Sequence, residues 1–119
     1  RLPAHCTSMG RVLLAALPRD EAVAVIEASD LSPRTKFSVT DPEEVMARVD
    51  LARNQGYALI DQEVEIGLRS IAVPLVNSHG TVVAALNTGM AATQARVEAL
   101  IPIYLPKLLK VQSGLKRVL

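Results

Sequence analysis

Residues 69–88 read RSIAVPLVNSHGTVVAALNT. Two apolar stretches, 69–77 and 81–88, flank the turn formers Ser78-His79-Gly80, and this pattern reads as an antiparallel β-hairpin. Pro74 lies inside the first stretch. It has no backbone N–H to give to a ladder, so an edge position or a bulge is expected there. Counting outward from the loop pairs Asn77 with Thr81 and sets Ser70 opposite Thr88, with Asn87 one step away. These three polar side chains would lie in a sheet made largely of Ala, Val and Leu. An apolar wall carrying a few converging donors is how small-molecule pockets are lined. Ordinary strand polarity facing water accounts for the same residues equally well.

Working outward, Tyr57-Ala58-Leu59-Ile60 reads as a short strand. Asp61-Gln62-Glu63-Val64-Glu65-Ile66 alternates polar and apolar, as either a strand or a turn-containing link. Further upstream the period becomes helical. Thr40-Asp41-Pro42-Glu43 combines a Thr N-cap, a Glu three residues later and a Pro in the first turn. The helix it opens carries the apolar stripe Val45, Val49, Ala52 and stops at Gly56. A helix over about Arg19–Ala28 has Asp20 and Glu21 in its first turn, where negative charge is favourable. The loop Ser29-Asp30-Leu31-Ser32-Pro33 follows it. Another helix spans about Ser8–Leu17, with Thr7 as the best N-cap, Met9, Val12, Leu13 and Ala16 at helical spacing, and Pro18 as its end. Residues 1–6 read as extended because of Pro3. Downstream, a last helix over about Gln94–Leu115, capped by Thr93, contains Pro102 and Pro106 and is expected to be kinked or broken. Three helices, then strands, then a helix make an α+β domain with an antiparallel sheet covered by helices. Three strands are few for such a sheet, so further strands are expected N-terminal to Arg1.

Composition narrows the function. The chain has 119 residues, half of them hydrophobic, enough for one domain with a real core. The 13 basic and 12 acidic residues nearly cancel, whereas a DNA-reading domain carries a basic face. Lys107, Lys110, Lys116 and Arg117 read as the solvated end of a helix. Phe37, Tyr57 and Tyr104 are too few for aromatic stacking on single strands. The lone Cys6 allows no internal disulfide and fits the cytoplasm. No apolar run reaches the roughly 18 residues of a membrane helix.

Catalytic chemistry finds little support. His5-Cys6 lacks the third, orienting group of an activated nucleophile, and adjacent residues on an extended segment point apart. His79 lies in the hairpin loop. There is no CxxC or HxxxH, so no metal site is expected. Asp61, Glu63 and Glu65 would share one face of a strand, where they read as a solvated edge rather than a cation site or a glycosidase acid pair. Gly10, Gly56, Gly67, Gly80, Gly89 and Gly114 form no phosphate loop or dinucleotide fingerprint. No cofactor is implied. Cys6, Thr7 and Ser8 crowd a helix N-terminus, which suits either a small anion or plain capping.

Leu2-Pro3-Ala4-His5-Cys6-Thr7-Ser8-Met9-Gly10-Arg11-Val12-Leu13-Leu14-Ala15 resembles the signature that opens the effector-domain core of IclR-type bacterial transcription regulators. Gly56-Tyr57-Ala58, then Asp61, Glu63 and the run Gly67–Pro74, resemble a second family motif, and Val82–Asn87 a third. The likeness covers essentially the whole chain. Its wording is closest to the branch that regulates protocatechuate and 4-hydroxybenzoate breakdown through the β-ketoadipate pathway. The resemblance implies a GAF-like fold, a homodimer or homotetramer, and an N-terminal winged helix-turn-helix, outside these residues, that binds operator DNA. It implies effector contacts at Thr7, Ser8, Met9, Ile60, Asp61, Ser70, Asn87 and Thr88. Other members have Cys where Ser70 stands and Ser where Asn87 stands, which implies an effector other than small keto-acids. The expected function is sensing of a small carboxylate, aromatic or β-ketoadipate-like. The rivals are a ligand-free dimerisation module and a hydrolase using Cys6 or Asp61, Glu63 and Glu65.

Overall fold

The α-helices begin where side chains replace the missing backbone partners of their first turns. The computed structural model describes residues 4–93 and 96–119. Helix α1 (Ser8–Ala16) is capped by Thr7, whose Oγ1 accepts from the Gly10 N–H at 3.1 Å. Helix α2 (Arg19–Glu27) follows directly after Pro18. Helix α3 (Pro42–Gln55) ends at Gly56, which takes the left-handed conformation, φ 86°. Its N-cap is Asp41 rather than the expected Thr40: the Asp41 carboxylate accepts from the Glu44 N–H at 3.2 Å. Pro42 thereby occupies the first helical position, where its fixed φ and absent N–H cost nothing.

Residues Ala4–Cys6 form a 3-10 turn, not the extended segment expected. The turn packs closely on α1: a Cβ on Gly10 would stand 2.4 Å from both Cα and O of Ala4.

The sheet is antiparallel in the order β1 (Ala58–Asp61), β2 (Leu68–Val76), β3 (Val82–Ala91). The link between β1 and β2 contains turns, with Gln62 at φ 61° and Gly67 at φ 89°. The hairpin closes as expected, the Asn77 N–H donating to the Thr81 carbonyl at 2.9 Å. Its register does not follow the simple count. An irregularity between Leu75 and Val76 pairs Val76 with Val82 but Leu75 with Ala84. The extra residue shifts everything beyond by one, so Ser70 faces Gly89, and Ile71 faces Thr88. Because side chains alternate, that slip moves Thr88 to the face opposite Ser70 and brings Asn87 onto the Ser70 face. Pro74 pairs with Ala85 on β3, and β1 stops alongside Ala72, so its other side is an edge. The Pro74 carbonyl there accepts from Gln112 Nε2 at 2.6 Å.

Helix α4 (Val97–Leu115) supplies Gln112. It starts after Arg96, so Thr93 is not its cap, and the expected start at Gln94 lies outside the described residues. The helix runs unbroken through Pro102 and Pro106. The prolines stand one turn apart on the exposed side, so the carbonyls they leave unpaired, of Glu98 and Pro102, belong to exposed residues.

The sheet is thus sandwiched. On one face, Ile71, Val73 and Met90 pack against Leu100 and Leu108 of α4. On the other, the small residues Ala58 and Ala72 let Val12 of α1 and Ala52 of α3 approach closely. A third cluster, Leu14, Ala22, Ile26, Val45, Met46 and Val49, joins α1, α2 and α3. The expected α1 stripe is corrected: Val12 is buried, but Met9 and Leu13 are 42% and 43% exposed and Ala16 is exposed. The inner face instead carries Ser8, Arg11, Val12 and Leu14. Among the described residues, no helix is long and apolar enough to cross a membrane.

Candidate functional site: a cleft at the start of helix α1

A cleft of about 800 Å³ opens between the N-terminus of α1 and the sheet face that carries Ser70. Met9 and Leu13 of α1 line it, which explains their exposure, together with Ile60, Val64 and Leu68. The sheet contributes Ser70, Asn87 and Gly89, and the helix start contributes Cys6, Thr7 and Ser8. Ser70 Oγ donates to Ser8 Oγ at 2.9 Å and so ties the sheet to the helix start. Thr7 takes the Gly10 N–H, leaving those of Ser8 and Met9 outside the helical ladder. Partial positive charge at a helix N-terminus favours an anion there.

Six of the sequence-derived effector contacts therefore meet at one cleft: Thr7, Ser8, Met9, Ile60, Ser70 and Asn87. Asp61 and Thr88 do not. Asp61 pairs with Arg69, which pairs with Met90, and Thr88 pairs with Ile71, so both belong to the face covered by α4. Asp61 Oδ1 accepts from Arg69 Nε at 2.7 Å instead.

The acidic triplet is dispersed rather than aligned on a strand. Asp61 ends β1, Glu65 is exposed in the turn, and Glu63 is buried, not solvated. Glu63 receives both terminal nitrogens of the Arg11 guanidinium, at 2.8 and 3.1 Å. Arg11 Nε donates to the His5 carbonyl at 3.1 Å. Cys6 is buried, and burial pushes its thiol pKa above the ordinary value, away from a reactive thiolate. Burial likewise lowers the His5 pKa, with the Arg11 cation adding to the effect.

Sequence reading missed three features here. The Arg11–Glu63 pair links positions 52 apart, beyond any local period. Its signal was a charged residue three positions from both Ser8 and Leu14, on the inner face of α1. The close approach at Gly10 depends on the 3-10 turn, which was not foreseen. Arg34, from the loop between α2 and α3, also lines the cleft, and nothing local marks it.

Comparison with known proteins agrees with the fold and the motifs. Residues 1–115 match the family described as bacterial transcriptional regulator IclR C-terminal. The Pca regulon regulatory protein of Pseudomonas putida is 43% identical over 115 residues, covering 97% of this chain and 40% of that protein. The p-hydroxybenzoate hydroxylase transcriptional activator of Acinetobacter baylyi is 36% identical over 118 residues, 99% of this chain and 44% of that protein. The chain thus spans under half the length of these relatives. Among solved structures, the inducer-binding domain of a PobR double mutant from Acinetobacter, in complex with 3-hydroxybenzoic acid, superposes with TM-score 0.94 at 35% identity. That match covers 100% of this chain and 68% of the other. The C-terminal domain of Escherichia coli KdgR gives TM-score 0.88 at 32% identity, over 98% of this chain and 70% of the other. These relatives are named as regulators of transcription or as domains of such regulators. The chain belongs to the C-terminal domain family of IclR-type bacterial transcription regulators, with relatives in the protocatechuate and p-hydroxybenzoate branch.

Proposed function

We propose that the cleft at the start of α1 is an effector site for a small aromatic carboxylate. The observation that carries this reading is the cleft itself: a largely apolar slot at a helix N-terminus, with Ser8, Ser70 and Asn87 among its polar groups. The aromatic body lies against Met9, Leu13 and Ile60. Ser70 and Asn87 hydrogen-bond one end, and the carboxylate takes the positive end of the helix. The structural likeness to a domain solved with 3-hydroxybenzoic acid supports the same chemistry. A ligand-free dimerisation module calls for a filled interior around Ser8, Ser70 and Asn87, and the open cleft speaks against it. In the whole regulator, a cytoplasmic homodimer or homotetramer, ligand binding biases the packing between this domain and an N-terminal operator-binding domain. It does so by favouring one conformation over the other.

A thermal-shift and calorimetry panel of protocatechuate, 4-hydroxybenzoate and β-ketoadipate tests this. Ligand at a hundredfold excess over Kd stabilises the domain by about 2.7 kcal/mol, a Tm rise of roughly 10 °C at this size. No response to any of the three, with tight binding of an unrelated cation or sugar, overturns the proposal.

A further inference from the structure

Among the described residues that line the cleft, Arg34 is the only charged one, and no carboxylate lines it. Arg34 is also uncommitted. Among the described residues it has no ion-pair partner, and its hydrogen bond is made by the backbone N–H, to Ser38 Oγ at 2.9 Å. Five other guanidinium groups are engaged: Arg11 with Glu63, Arg19 and Arg53 with Asp50, Arg48 with Glu44, Arg69 with Asp61. Arg96 and Arg117, the other described arginines without an ion pair, do not line the cleft.

The loop that carries Arg34 is held in place. Ser38 Oγ accepts from the N–H groups of Arg34 and Thr35, both at 2.9 Å, and donates to the Glu63 carbonyl at 2.7 Å. Thr35 Oγ1 donates to the Gln62 carbonyl at 2.6 Å. Glu63 in turn is fixed by Arg11 of α1. The Arg34 cation is therefore anchored to the same helix whose N-terminus opens the cleft. It stands close enough to bear on the Cys6 thiol, whose pKa it opposes raising.

We propose that Arg34 receives the carboxylate of the cleft's ligand and sets its preference for anions. This rests on the cleft being an effector site. A planar guanidinium pairs with a carboxylate through two parallel N–H···O bonds. Asp30 acts on Arg34 only at a distance, without an ion pair, and a ligand carboxylate in the cleft would supply the directly paired counter-charge. The helix N-terminus and Arg34 then act on the same anion, with Ser70 beside them through its bond to Ser8, and Asn87 is left for the ring substituent.

The test is calorimetric titration of the wild-type chain, Arg34→Gln, Arg34→Lys and Lys36→Ala with 4-hydroxybenzoate and its neutral analogue 4-hydroxybenzamide. Arg34 is exposed, so the variants should fold, and circular dichroism melts check that. The expected result is a wild-type preference for the acid that collapses in Arg34→Gln. Acid affinity falls on the order of 10- to 100-fold while amide affinity holds. Arg34→Lys should recover part of the loss and Lys36→Ala none of it should show. Unchanged acid affinity in Arg34→Gln, or equal loss of acid and amide, overturns the role of Arg34 and leaves the effector site standing. A wild-type chain that binds neither compound, nor protocatechuate nor 3-hydroxybenzoate, overturns both.

Discussion

Gly10 is the position where the helix start tolerates least. A Cβ there would lie 2.4 Å from the Ala4 backbone and 2.6 Å from Thr7 Oγ1, the atom that caps α1. Backbone cannot rotate aside as a flexible side chain can, so Gly10→Ala must push the 3-10 turn off the helix or break the cap. We expect a loss of about 1–3 kcal/mol, with weaker effector binding because Thr7 and Ser8 shift. Gly114 is the control: it lies in α4 with nothing within 4 Å of an added Cβ. There Ala should stabilise by about 0.5–1 kcal/mol through helix propensity. Urea denaturation of both variants checks the pair; equal effects of one sign would refute the steric reading. The sequence marked Thr7 as a cap, because capping is a matter of residue type and the next few positions. It could not mark Gly10 as obligatory, since the atoms it would strike belong to a turn whose shape tertiary packing sets.

At the scale of elements, the Arg11–Glu63 pair joins α1 to the link between β1 and β2, and that link holds the α2–α3 loop through Thr35 and Ser38. Both side chains are almost wholly out of water, 2% and 7% exposed. Breaking a buried pair by removing one partner strands the other charge, at a cost of about 3–5 kcal/mol, whereas replacing both by apolar groups is often near neutral. Glu63→Leu should therefore destabilise strongly, and Arg11→Met with Glu63→Leu should recover most of that loss. Additive effects in a double-mutant cycle by urea denaturation would contradict the pairing. If the pair also positions the Arg34 loop, the double variant stays folded yet binds 4-hydroxybenzoate more weakly. Elements were legible where local chemistry decides them. The α3 stripe Val45, Val49, Ala52 is buried throughout, and Gly56 ends the helix as expected. The cap moved from Thr40 to Asp41 because either residue type serves and only Pro42's position discriminates. The strand register failed at Leu75/Val76, where an irregularity that no residue type announces shifted Thr88 to the opposite face. The inner face of α1 was misread because Met9 and Leu13 are apolar for the cleft's sake rather than the core's.

For the whole molecule, the layered arrangement was legible as helices on an antiparallel sheet, while the cost of its buried polar interior was not. His5 is 4% exposed, and its Nδ1 has no hydrogen-bond partner. Burial first, then the cations of Arg11 and Arg34, lower its pKa against the opposing pull of Glu63 and Asp30. The folded protein therefore keeps His5 neutral at a pH where the unfolded chain, near its ordinary value of 6.5, takes up a proton. Where the unfolded state binds more protons, stability rises with pH. The contribution of His5 is thus fully present above pH 6.5 and is lost as pH falls below it, with a slope of at most about 1.4 kcal/mol per unit for one proton. Urea denaturation between pH 7 and 5.5 should show this slope in the wild type and a shallower one in His5→Gln, which cannot titrate. Parallel curves would mean that other groups carry the acid sensitivity. Because His5 lends its carbonyl to Arg11 and precedes the residues that open the cleft, effector should bind better to the form with His5 neutral. Ligand-induced stabilisation should then hold through the window in which only the unfolded chain protonates, shrink at the lower pH where folded His5 takes up its proton, and hold steady throughout in His5→Gln.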